Sequence, residues 1–199
     1  MTVTPARPAP IRARWWPWLA VGLLIVAPCR FARAESSVPA LIKPLQLVGY
    51  PSRTAPPDFG GETLDARKIS AADLRGKVIL VNFWASWCLE CRPETRVLES
   101  HHRALARPGL AIVGINARET TDTVRRYAKD VGLTFPLVLD PGGTINARYG
   151  VLGLPTTFLV ARDGHAVAFA IGSREWGSAS ARALFDALLA EAAPRPTGR

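Results

Sequence analysis

The 199-residue chain carries 25 Lys and Arg against 16 Asp and Glu, a formal net charge of +9. Five of the basic residues lie in the first 34 positions, which contain no acidic residue, so the remaining 165 residues carry only +4. This part has no run of five Lys or Arg, and such a mild excess does not predict a nucleic-acid partner. Its length suits one domain with its own core.

The N-terminus has the layout of a secretory signal. An apolar run of 14 residues, Trp15 to Pro28, is flanked by arginines, and Ala32 and Ala34 offer an A-x-A cleavage site. A bilayer-spanning helix needs about 20 apolar residues, so an uncleaved membrane anchor is the less favoured alternative. We therefore expect a signal peptide over residues 1–34 and a mature protein in the periplasm.

Residues 35–57 are rich in Pro and Ser, which predicts an extended tether before a domain at 58–192. The domain opens with two short runs around Asp65–Arg67, a predicted β-hairpin, and Ser70 is placed to cap a turn of helix. Residues 193–199 are predicted to form a flexible tail.

Alternating strands and helices follow. The apolar run "KVILVNFWA" is typical of a strand buried on both faces, and "CLECRPETRVLESHHRALAR" has helical spacing. Then come the strand "LAIVGIN", a helix between Thr120 and Gly132, the strand "FPLVLD", a short helix near 145–149, the strands "TTFLVA" and "HAVAFAIG", and a last helix. This order predicts an α/β fold with a central mixed sheet and helices on both faces.

Cys88 and Cys91 stand two residues apart where the first central strand meets its helix. They could form a structural disulfide, half of a metal site, or an electron-carrying dithiol. A chain of this size does not need a disulfide for stability. A zinc site needs four ligands, and the adjacent His101 and His102 point about 100° apart on a helix.

We therefore favour the dithiol and expect neither a metal nor an organic cofactor. Free N–H groups and the positive end of the helix dipole stabilise a thiolate at a helix N-terminus, which makes Cys88 the predicted nucleophile. Cys91, one turn further on and deeper, is placed to resolve the mixed disulfide.

The segment "VNFWASWCLECRPE", followed by "GLPTTFLVARDG", resembles the thioredoxin superfamily, specifically the secreted TlpA-like and ResA-like thiol:disulfide oxidoreductases. The resemblance covers about 57–190 and implies a thioredoxin-like fold with an N-terminal β-hairpin extension. Pro155, preceded by Leu154, matches the family's cis-proline, whose loop offers a backbone edge to a substrate.

The resemblance also implies the surroundings of the dithiol. Trp84 and Trp87 are expected to form an apolar wall, and Thr156 at the entry to the next strand joins Leu154 as a substrate contact. Arg92 would help to hold Cys88 as a thiolate if it leans that way.

Glu94 matches a glutamate of ResA-like proteins, where a partly buried carboxylate can act as base toward Cys91. In cytoplasmic thioredoxins a buried aspartate precedes the first cysteine by six positions, and Asn82 stands there in this chain. The alternative is a surface glutamate in the first turn of a helix.

The family implies a monomer that reduces disulfides in exported proteins, such as apocytochrome c or copper-site assembly proteins. Because the periplasm is kept oxidising, such a reductase needs a transmembrane electron donor of the DsbD or CcdA kind. Two alternatives stay open: a DsbA-like thiol oxidase or isomerase, and a Cu(I) chaperone using the same thiolates.

Overall fold

A computed structural model describes residues 37–192 together with Thr2. The predicted signal peptide, apart from Thr2, and the predicted tail at 193–199 lie outside the described residues. Within the part of the chain that the structure describes, no helix is long and apolar enough to cross a membrane.

The strands of the described residues are β1 (Val48–Gly49), β2 (Gly60–Glu62), β3 (Lys68–Ser70), β4 (Val78–Trp84), β5 (Leu110–Ala117), β6 (Leu137–Asp140), β7 (Thr156–Val160) and β8 (Ala166–Ile171). Six of them form a mixed sheet at the centre of the fold, in the order β1-β8-β7-β4-β5-β6. Strands β4, β5 and β6 are parallel, whereas β7 runs antiparallel to both β4 and β8. The predicted mixed α/β sheet is confirmed.

The helices are α1 (Val38–Ile42), α2 (Cys91–Leu105), α3 (Thr121–Val131), α4 (Thr144–Arg148) and α5 (Ala179–Ala190). All seven residues of β4 are buried, and its side chains alternate between two apolar cores. Residues of α2, α3 and α5 fill one core, and residues of α4 contribute to the other. The sheet is therefore covered on both faces, as a strand buried on both sides requires.

Strands β2 and β3 form the predicted hairpin. Ser70 and Asp73 make a capping box for the 3-10 turn Ala71–Leu74, as the sequence predicts. The hairpin continues to the edge of β6, where Leu64 N donates to Leu137 O at 2.8 Å. It thereby pairs with an edge that would otherwise be open.

The prediction of a loose tether over 35–57 is wrong for residues 38–49. Helix α1 packs against α5, and β1 pairs with β8. Leu45 and Leu47 are both buried in the larger core. The apolar residues of this segment find partners on elements far along the chain, so the folded domain begins about twenty residues earlier than the sequence predicts.

Candidate active site

The turn between β4 and α2 carries the two cysteines, which the structure joins as a disulfide with a Cα–Cα distance of 5.3 Å. Helix α2 begins at Cys91, so Cys88 lies in the preceding turn and not in the helix. The Cys91 N–H nevertheless points at Cys88 Sγ, with a nitrogen–sulfur distance of 3.2 Å. The same N–H also donates to Cys88 O at 3.2 Å, so it is shared between the sulfur and the carbonyl. An N–H at a helix N-terminus stabilises a thiolate.

The two cysteine residues differ slightly in their exposure to solvent. Cys88 is 7% exposed, whereas Cys91 is 0% exposed. Cys88 is therefore the more accessible of the two residues, and its role as the nucleophile stays a prediction.

The loop before β7 lies at the same end of the sheet as the dithiol, because Thr156 pairs with Phe83 near the end of β4. Its Leu154–Pro155 peptide bond is cis. The Pro155 carbonyl accepts a hydrogen bond from Gly172 N at 2.7 Å, while Leu154 is half-buried.

Thr156 is 2% exposed, and its hydroxyl donates to Gly153 O at 2.7 Å. The side chain thus shapes the loop from inside. The prediction that Thr156 contacts a substrate is wrong.

The two tryptophans before Cys88 differ in burial. Trp84, the last residue of β4, is fully buried, and its ring centroid lies 4.6 Å from that of Tyr127. The prediction that Trp84 contacts a substrate is therefore wrong, because the strand points this side chain into the core. Trp87 lies in the turn and is 67% exposed, so it is available as the apolar wall.

Two leucines that the sequence analysis did not single out are also exposed beside the dithiol. Leu89 lies between the cysteines and is 90% exposed, and Leu152, in the loop before Pro155, is 91% exposed. Single exposed apolar side chains are normal on a monomer, whereas a contiguous group of them marks a contact surface.

Glu94 lies in the first turn of α2 and is 3% exposed, so the alternative of a surface glutamate is wrong. Its Oε1 accepts hydrogen bonds from Asn82 Nδ2 at 2.8 Å and from Thr157 Oγ1 at 3.3 Å. Its Oε2 accepts one from Arg174 N at 3.1 Å. Burial raises the pKa of Glu94 above its ordinary value, and the hydrogen bonds from Arg174 N and Thr157 oppose the rise only in part.

Glu119 is a further residue of the site that the sequence analysis missed. It follows β5, and its Oε2 accepts hydrogen bonds from Ser86 N at 2.8 Å and from Asn116 Nδ2 at 2.7 Å. The carboxylate thus fixes the turn that carries Cys88. A signal was present, since carboxyl ends of neighbouring parallel strands meet at one edge, where α/β sites form.

Arg92 is exposed, and its Cζ lies over the ring of Tyr127, 5.1 Å from the centroid. The guanidinium is therefore directed at that ring. His101 bonds to Trp176 O, whereas His102 lies against Phe135. The histidines therefore face different neighbours. Across the described residues, no group of three or more His, Cys, Asp or Glu is placed to hold a metal ion.

Fold and site together define a thioredoxin-like protein with a Cys-x-x-Cys disulfide at the end of its central strand. The AhpC/TSA family matches residues 52–168. The chain therefore belongs to the AhpC/TSA family of thioredoxin-like proteins.

The chain is similar to the thiol-disulfide oxidoreductase ResA of Bacillus thuringiensis subsp. konkukian. They are 35% identical over 111 residues, which cover 56% of this chain and 64% of ResA. The chain thus spans slightly less than two thirds of that relative's length.

Two solved structures are similar across most of their own length. A thiol:disulfide interchange protein of the thioredoxin family from Chlorobium tepidum has a TM-score of 0.62 and 29% identity, covering 70% of this chain and 99% of that one. A secreted thiol-disulfide isomerase from Corynebacterium glutamicum has a TM-score of 0.60 and 29% identity. The match covers 71% of this chain and 89% of the isomerase.

Proposed function

We propose that this protein is a thiol:disulfide oxidoreductase that reduces disulfides in exported proteins. The observation that carries the proposal is the Cys88–Cys91 disulfide at the end of the central strand, in which Cys88 is 7% exposed and Cys91 is fully buried. Relatives named thiol-disulfide oxidoreductase and secreted thiol-disulfide isomerase support the same chemistry.

The reaction begins from the reduced protein. The Cys88 thiolate attacks one sulfur of the substrate disulfide, forms a mixed disulfide and releases the other substrate sulfur as a thiolate, which takes up a proton. Cys91 then loses its proton and attacks Cys88 Sγ, which releases the second substrate thiol. The substrate gains two electrons, and the protein is left with the Cys88–Cys91 disulfide.

Glu94 is proposed as the base that takes the proton from Cys91. It lies one turn after Cys91 on α2, and its raised pKa keeps its proton affinity closer to that of a thiol. Asn82 cannot take up a proton at neutral pH, although it occupies the position of the thioredoxin aspartate.

The proposed compartment is the periplasm, and the proposed form is a monomer. A reductase there must be re-reduced through the membrane, so we propose a transmembrane donor of the DsbD or CcdA kind. Apocytochrome c and copper-site assembly proteins are the proposed kinds of substrate.

The test is a single-turnover reaction between the reduced protein and a peptide that contains one disulfide. We expect each mole of protein to release two peptide thiols and to become oxidised. Cys88→Ser should release none, and retained reduction by this variant would contradict the assignment of the nucleophile.

A further inference from the structure

We infer that Arg174 is a positioning residue that closes the β8–α5 loop over Glu94 and ties this loop to the N-terminal segment. The β8–α5 loop comprises residues 172–178, and the N-terminal segment comprises residues 38–49. The importance of this arrangement for turnover rests on the proposed role of Glu94.

The side chain of Arg174 is bonded on two sides. Its Nη1 donates to Gly172 O at 3.2 Å and to Ser173 O at 2.8 Å, within its own loop. Its Nε donates to Gln46 O at 3.3 Å, across to the N-terminal segment. A planar guanidinium suits such divergent carbonyl contacts, whereas an ammonium acts as a point charge.

The loop is shaped for this closure. Gly172 has a φ of +86°, a left-handed conformation that favours glycine, so the chain turns back directly after β8. The turn places Arg174 N on Glu94 Oε2 at 3.1 Å. Further along, the carbonyl of Trp176 accepts a hydrogen bond from His101 Nε2 at 2.7 Å, which fixes the other part of the loop on α2.

The anchor at Gln46 is itself fixed by its neighbours. Gln46 ends the 3-10 turn Lys43–Leu45 with a φ of 53°, and its N–H donates to Lys43 O. Leu45 and Leu47 on either side are buried, so the carbonyl of Gln46 cannot move far without exposing an apolar side chain.

The side chains that donate hydrogen bonds to Glu94 carry no charge. Asn82 and Thr157, which bond its Oε1 from β4 and β7, are neutral. On α2, Cys91 lies one turn before Glu94, and it does not titrate while it is held in the disulfide. The loop side contributes Arg174, and Glu175 beside it is exposed.

The test is an NMR titration of the Glu94 carboxyl in the oxidised protein, in which neither cysteine titrates. Burial is the largest cause of the raised pKa of Glu94. Arg174→Met should open the loop, and because this both admits water and withdraws the Arg174 N–H from Oε2, the Glu94 titration should shift from that of the wild type. Arg174→Lys keeps the positive charge but not the three carbonyl contacts, so a shift in this variant would come from the loop and not from a lost charge.

Arg162→Met is the matched control, because Arg162 Nη2 also donates to a main-chain carbonyl, that of Pro108, at 2.9 Å. In this variant the Glu94 carboxyl should titrate as it does in the wild type. An unchanged Glu94 titration in both Arg174 variants would overturn the inference. Since no substrate is present, this result is separate from a failure of disulfide reduction, which would overturn the proposed function alone.

Discussion

Asn82 donates a hydrogen bond through Nδ2 to Glu94 Oε1 at 2.8 Å, and both side chains are buried. The residue pair joins the central strand to the helix of the dithiol. It places a carboxyl group and an amide where cytoplasmic thioredoxins have a single aspartate. The titration of the site therefore depends on Glu94 and on how its burial is maintained.

We predict that Glu94 makes the protein less stable as the pH rises. Because the pKa of Glu94 is raised in the folded protein, its contribution to stability is full below the ordinary value of 4.5 and is lost as the pH rises through the raised value. Glu94→Gln should remove this loss. The measurement is the free energy of unfolding in urea at a series of pH values.

Glu99 is also buried on α2 and serves as the control. Its effect on stability should change with pH in the opposite direction. Burial by itself would raise the pKa of Glu99, but hydrogen bonds from Thr134 and Arg103 outweigh burial and hold this pKa below its ordinary value. The contribution of Glu99 to folding stability is therefore present when the pH is above the ordinary pKa of a glutamate, and it is lost as the pH falls. If both Gln variants showed the same slope against pH, the account of Glu94 would be wrong.

We predict that Cys91→Ser accumulates a mixed disulfide with its substrate. Cys88 is the more exposed of the two cysteines, so the first attack survives the substitution while the resolving attack is lost. Mass spectrometry of the reaction with a disulfide peptide should find the adduct on Cys88. Release of free peptide thiols at the wild-type rate would show that Cys91 does not resolve the intermediate.

We predict that Trp87→Ala and Leu152→Ser each weaken binding of protein substrates. Both side chains are mostly exposed beside the dithiol, and loss of an apolar contact of about 1.4 kcal/mol corresponds to a tenfold higher KM. Both variants should reduce a small disulfide reagent at the wild-type rate. Val48→Ser is the control, since Val48 is 54% exposed on β1. Equal KM values for all three variants would exclude this surface from recognition.

We predict that Gly114→Ala destabilises the core beneath the dithiol. A Cβ at Gly114 would lie 2.8 Å from Trp84 Nε1 and 2.9 Å from Leu137 Cδ2, closer than packed atoms approach. Overpacking of this kind costs about 1 to 3 kcal/mol. At Gly60 the nearest atom would be 3.8 Å away, so Gly60→Ala is the control in urea denaturation. A wild-type midpoint for Gly114→Ala would contradict the packing described.

Local patterns account for the parts of the fold that the sequence predicts correctly. The apolar run of β4 and the cap at Ser70 depend on neighbouring residues, and both lie where expected. The packing of residues 38–49 depends on β8 and α5, more than a hundred residues away, and no local pattern contains this information.

The same distinction applies to the site. The CxxC spacing indicates the dithiol directly, whereas the separate positions of Trp84 and Trp87 depend on where β4 ends. Since the end of a strand is poorly defined in a sequence, the buried tryptophan could not be separated from the exposed one. The contact of Arg174 with Gln46 joins two loops and could be found only in the folded chain.

The reduction potential of the Cys88–Cys91 pair, titrated against a thiol redox buffer, tests the central claim most directly. A reductase should have a potential at or below about −220 mV, toward that of thioredoxin. A potential near about −120 mV, as for DsbA, would contradict the account and show that the protein oxidises its substrates.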